Sequence, residues 1–203
     1  MHLAGQISFW LPYIGIEIIL IVLLFFWFFK REIFKRIIKI TIWAEIGLLI
    51  FAWASQIVLT YFALKNSELG QYLVSGKNNY FLSQTIYISQ EYLWIFLIAI
   101  LFYLLIIFLV KKQKKPRLDE NAAPIFFITI LAFSSIRLLN FIPGLLLAFL
   151  VGIIWQLILI IFKKVKADNR IAISPCLVTS AIILQVLSLF PFYLQFLVYC
   201  RLI

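Results

Sequence analysis

Four ionisable side chains lie inside long apolar runs of this 203-residue chain: Glu17, Glu45, Glu91 and Arg137. A charge at membrane depth is expensive, so such a residue pairs with another, faces a polar interior or holds a ligand. An arginine held between carboxylates can bind a phosphate or a carboxylate, because its planar guanidinium donates to two oxygens at once. The same residue types also make a plain ion pair that ties helices together. On the residues alone, both readings stand.

Which of the four can meet depends on the elements that carry them. A spanning helix needs about 20 apolar residues. Six runs qualify or nearly do: about Phe9 to Phe29, Ile40 to Phe62, Ile86 to Val110, Pro124 to Phe141, Leu145 to Phe162 and Ile171 to Val198. Pro143-Gly144 separates the fourth run from the fifth. The fourth is short and contains Arg137, so a tilted or re-entrant helix is an alternative there. The last run is too long for a straight span, and Pro175 and Pro191 predict a kink or an interfacial portion. The first run has no basic stretch before it and reads as a retained helix, not a removable signal. The expectation is an all-α, polytopic integral membrane bundle of six transmembrane helices, a single domain over 1–203.

Charge orients the runs. The loop after the first helix holds Lys30, Arg31, Lys35, Arg36 and Lys39. The loop after the third holds Lys111, Lys112, Lys114, Lys115 and Arg117. The loop after the fifth holds Lys163, Lys164, Lys166 and Arg170. These loops carry 14 of the 18 basic residues and would share one face. The positive-inside rule makes that face cytosolic and puts both termini outside, in a multi-pass protein of the cell (inner or plasma) membrane. Glu17, Glu91 and Arg137 then fall in the outer half of the bilayer. The expected ligand-binding set is Arg137, Glu17, Glu91 and Asn140, flanked by Gln56 and Gln195. Glu45 falls near the inner end of the second helix, where Lys39 could pair with it. Trp10, Tyr13, Tyr61, Tyr80, Tyr87, Tyr92, Tyr193 and Tyr199 are expected in an outer aromatic belt. Ser134, Ser135, Ser180, Gln185, Ser188 and the other polar residues within the runs are expected to hydrogen-bond between helices.

Composition supports the same class. Hydrophobic residues make up 65% of the chain, against roughly 45–50% in an ordinary soluble domain. The net charge of +10 is carried by short loops between apolar runs. It therefore reads as topology signal and lipid-headgroup contact, with no nucleic-acid partner. Membrane lipids and other membrane subunits are the expected partners. Cys176 and Cys200 lie near opposite ends of one run, too far apart to bridge.

Several chemistries are excluded. The one histidine is His2, which removes a serine–histidine protease and a histidine-rich zinc site. Asp119 and Asp168 both lie in charged loops, so no pair of membrane-embedded aspartates exists. No GxxxxGK loop is present. No catalytic residue, metal site or cofactor is expected, and the balance leans away from an enzyme.

Two family resemblances follow from particular residues. Lys65, then Ser75-Gly76-Lys77, then Ser135, Arg137, Asn140 and Pro143, behind the opening LAGQISFWLPYIG, resemble the layout of the membrane-bound type 2 phosphatidic acid phosphatases. The short undecaprenyl-diphosphatase members are the nearest in style. That resemblance implies an outer-face site for a lipid phosphate. Lys77 stands where the family has a histidine, and neither its nucleophilic nor its acid–base histidine is present. The stretch from Gly144 to Ile183, with KKVKADNRIAISPCLV, is similar to the tail of bacterial prepilin peptidases, without their catalytic aspartates. The sequence thus points first to a non-catalytic envelope protein or lipid-phosphate-binding membrane protein with an outer-leaflet Glu/Arg polar site. The alternatives are a small transporter or permease subunit working with an energising partner, and a degenerate lipid-phosphate phosphatase.

Overall fold

The structure, a computed structural model, describes residues 2–66, 70, 74, 80–112, 121–135, 138–162, 173–190, 193 and 195. Among them are six α-helices and no strand: α1 (His2–Phe29), α2 (Arg31–Lys65), α3 (Tyr80–Lys112), α4 (Ala122–Ser134), α5 (Phe141–Ile161) and α6 (Ile173–Ser188). One 3₁₀ turn, Leu138–Asn140, precedes α5. Four helices are long and apolar enough to cross a membrane: α1 from Trp10, α2 from Ile33, α3 and α5. The fold is that of a helical membrane protein. With 13 and 16 residues, α4 and α6 rise only about 20 and 24 Å, against a hydrocarbon core of about 30 Å.

The first basic loop is not a loop. Only Lys30 leaves the helical conformation, at φ −144° and ψ 72°, and α2 begins at Arg31 instead of Ile40. The reason is a helical period hidden among the charges. Phe34, Ile38, Thr41, Glu45 and Leu49 recur at three and four residues and are all buried, while Lys35, Arg36 and Lys39 are exposed. The Lys30 carbonyl accepts from the Ile33 and Phe34 amides, so the chain turns on one residue. Of the second basic loop, Lys111 and Lys112 form the last turn of α3, and 113–120 lie outside the described residues, as does the third basic loop (163–170).

Three helices place a proline at their third residue: Pro124 in α4, Pro143 in α5 and Pro175 in α6. The first four amides of a helix have no intrahelical acceptor, so proline costs nothing there. Pro143 therefore starts α5 and does not break the preceding run. The break lies upstream, where α4 stops at Ser134. At the other end of α6, the helix stops at Ser188, ahead of Pro191, whose ring disfavours helical backbone before it.

Register follows from a few close contacts. A Cβ on Gly15 would lie 2.8 Å from a Leu48 methyl, so α1 and α2 touch there. Trp53 Nε1 donates to Ser89 Oγ at 3.1 Å, and the Tyr61 and Phe81 rings lie 5.4 Å apart, which makes α2 and α3 antiparallel. Tyr103 and Phe127 rings lie 6.0 Å apart, and Ile106 packs with Ala122 and Ala123, which does the same for α3 and α4. Counted from these contacts, Lys30 is level with Lys112, so both stand at one end of the bundle.

The packing pairs close a ring. α1 packs on α2 and α6, and α4 also packs on α2 and α6. α3 lies outside against α2 and α4, and α5 lies against α6. Nearly all of α4 is buried, including Phe133, Ile128 and Ile130. Gly144, Ala148 and Gly152 form the buried stripe of α5. Small residues there let helix backbones approach. Gly144 meets the face of Phe133 so closely that a Cβ would lie 2.5 Å from the ring.

Candidate functional site

The short central helix ends inside the bundle, and the buried polar groups gather at that height. At equal rise per residue, the contacts above bring Glu17 level with Ile46, Glu45 with Leu97, and Ser134 with Phe96. Phe96 and Leu97 sit at the middle of α3. Glu17, Glu45 and the end of α4 therefore share one level, to within about one helical turn, or ~5 Å.

Glu45 is fully buried, on the inward stripe of α2, and neither carboxylate oxygen has a hydrogen-bond partner. Lys39, the expected partner, is exposed. Six residues of helix set it about 120° around the axis from Glu45. Glu45 is also not near an inner helix end, because α2 starts earlier than its apolar run. Glu17 is half-buried, and its Oε2 is buried without a partner. Ser134, the last residue of α4, is fully buried, and its hydroxyl has no partner either. Gln185 reaches across from α6 and donates from Nε2 to the Ala132 carbonyl at 3.4 Å, leaving its Oε1 buried and unpartnered.

The backbone adds to this. The last turn of a helix leaves carbonyls without intrahelical donors, and it carries the negative end of the helix dipole. α4 brings that end to the middle of the bundle. Ser135 Oγ turns back to the Ala132 carbonyl at 2.7 Å. The 3₁₀ turn then packs against α4 and places Asn140 inside. Tyr193 OH donates to Asn140 Oδ1 at 3.2 Å, while the amide nitrogen of Asn140 has no partner. An unmet buried polar atom costs about 1–3 kcal/mol. Several at one level mark a place shaped by something other than stability.

The sequence-derived set is only partly brought together. Arg137 lies outside the described residues. Glu17 belongs to the central level. Glu91 lies about 9 Å along α3 from Leu97, within electrostatic reach of Tyr13 and Tyr92. Asn140 is buried beside Tyr193. Gln195 is exposed, and Gln56 is partly exposed. Of the aromatic residues assigned to the belt, Tyr92 and Tyr193 are buried, and Trp10, Tyr80 and Tyr87 are exposed. Among the polar residues expected to link helices, Gln185 does so. The hydroxyls of Ser135, Ser180 and Ser188 instead bond to carbonyls three residues back, the local option open to short hydroxyl side chains.

Glu45, Ser134 and Gln185 are the residues that sequence reasoning set aside. A helical period read through the basic stretch would have found Glu45. Nothing in the sequence marks where α4 stops.

Among the described residues no group of three histidine, cysteine, aspartate or glutamate side chains could hold a metal. What the level offers is one fully buried carboxylate surrounded in height by neutral oxygen acceptors. No protein-family model matches the chain, and no curated protein or solved structure is similar to it.

Proposed function

We propose that this protein is a small membrane carrier whose substrate or coupling ion passes through the level of Glu45. The observation that carries the reading is the Glu45 carboxylate, fully buried with both oxygens unpartnered. Ionisable residues at membrane depth mark ion and substrate paths. Carriers build such sites near the bilayer midplane from helices that stop inside the membrane, and α4 stops inside the bundle. In this reading α4 and α6 count as short crossings, giving six with both termini outside. The end that bears Lys30 and Lys112 is cytosolic by the positive-inside rule, in a cell (inner or plasma) membrane. Membrane lipids, and an energising subunit if the chain is a permease component, are its partners.

The test is charge movement in proteoliposomes holding the purified full chain, under imposed gradients of protons, Na⁺ and K⁺. The carrier reading expects protein-dependent currents that fall to the level of empty liposomes in Glu45→Gln. Currents unchanged by Glu45→Gln, or none under any gradient, would overturn it.

Binding of a lipid phosphate is the second reading, and Asn140 favours it. Its buried Nδ2 is a donor without an acceptor, as a phosphate site requires. Native mass spectrometry of the wild type and Arg137→Gln tests this. A phospholipid retained by the wild type and lost from the variant supports it, and equal retention contradicts it.

A further inference from the structure

Resting on the carrier reading, we infer that the central level is a binding site for one small monovalent alkali cation, held by Glu45, the Ser134 hydroxyl and the Gln185 side-chain oxygen at the negative end of the α4 dipole. Four observations converge. Glu45 is fully buried and unpartnered on both oxygens, and Ser134 and Gln185 Oε1 are buried and unpartnered. Gln185 is held at Ala132, two residues from Ser134, by its own amide hydrogen bond. The register puts Glu45 at the height of Ser134. The negative end of α4 stops at that height.

The chemistry selects the ligand. The unpartnered atoms of Glu45, Ser134 and Gln185 are oxygens, which suit a hard cation, whereas the Asn140 amide nitrogen is a donor and takes no part in the site. One carboxylate supplies one negative charge, so a monovalent cation leaves the buried site neutral. A divalent ion would leave an uncompensated buried charge. A proton on Glu45 would also neutralise it, but its single O–H could meet only one of the Ser134 and Gln185 oxygens. Half-helix ends whose carbonyls coordinate Na⁺ are a known solution at membrane depth. Glu17 stands at the same height on α1 and is half-exposed, so it lies at the edge of the site and not within its core.

The experiment is thermal unfolding of the detergent-solubilised full chain in NaCl, KCl or choline chloride at constant ionic strength and pH. A ligand that binds only the folded state stabilises it logarithmically with concentration. At about a hundred times its dissociation constant, the melting temperature should rise by roughly 5–10 °C for a chain of this length. The rise should saturate, should be absent in Glu45→Gln, and should need about tenfold more cation in Ser134→Ala and in Gln185→Leu. These last two variants keep the test alive if Glu45→Gln does not fold. Equal melting in all three salts overturns the inference, as does a response to pH alone. So does a cation response that appears only in Arg137→Gln, because the arginine would then fill the site itself. Cation stabilisation without current in liposomes supports the inference while refuting the carrier reading. Current without cation stabilisation does the reverse.

Discussion

Replacing Glu45 by methionine should make the protein more stable and less functional. The side chains are close in length, so the change removes the carboxyl without opening a cavity. Glu45 has both oxygens buried without a partner, and an unmet buried polar group costs about 1–3 kcal/mol. An apolar side chain of similar shape recovers that cost. For a chain of this length each kcal/mol moves the melting temperature by about 2–4 °C. The variant should therefore melt about 2–12 °C above the wild type in choline buffer, where no alkali cation is present. The advantage should shrink or reverse as NaCl is added, because only the wild type gains from binding. Intrinsic fluorescence of the six tryptophans, with size-exclusion chromatography before and after heating, reads the transition. A variant that melts below the wild type in choline would refute the reasoning. It would mean that the carboxylate has a stabilising partner within the protein.

Other predictions address the frame around the site. Gly144→Leu should destabilise the bundle by about 1–3 kcal/mol, because a Cβ there already meets the Phe133 ring at 2.5 Å; Gly144→Ala should lower the melting temperature less. Tyr193→Phe removes the hydrogen bond to Asn140 Oδ1 and should cost about 1–3 kcal/mol, read as a lower melting temperature without a change in lipid-to-protein ratio. Lys30→Cys and Lys112→Cys, each in a cysteine-free background, should react with an impermeant maleimide only from the same side of sealed vesicles. Labelling from opposite faces would break the register between α2 and α3.

Much of the fold was legible because membrane helices announce themselves by length and apolarity. The long helices α1, α2, α3 and α5 were visible as apolar runs, and Pro124 correctly marked the start of α4. The errors share one physical origin. Hydropathy registers where apolar residues are, whereas a helix ends where its backbone finds other partners. The Lys30–Lys39 stretch therefore looked like a loop, although Phe34 and Ile38 bury one face of it. Misplacing the start of α2 put Glu45 near a helix end and hid it as a site residue. In the same way the apolar run through Phe141 hid the end of α4 at Ser134. Glu17 and Asn140 were recognisable as polar residues in apolar surroundings. Which level each occupies required the packing of Gly15 on Leu48, Trp53 on Ser89 and Tyr103 on Phe127, contacts between residues far apart in sequence.

A carrier needs the level of Ser134 to be a place that water and ions reach, and not a dry structural core. The direct measurement is the reaction of Ser134→Cys, with Cys176 and Cys200 replaced by alanine, with a small charged thiosulfonate reagent in proteoliposomes. Modification is expected from at least one side, slowed by Na⁺ or K⁺ but not by choline. A cysteine at this position that stays unmodified from both sides, in every salt, would contradict it.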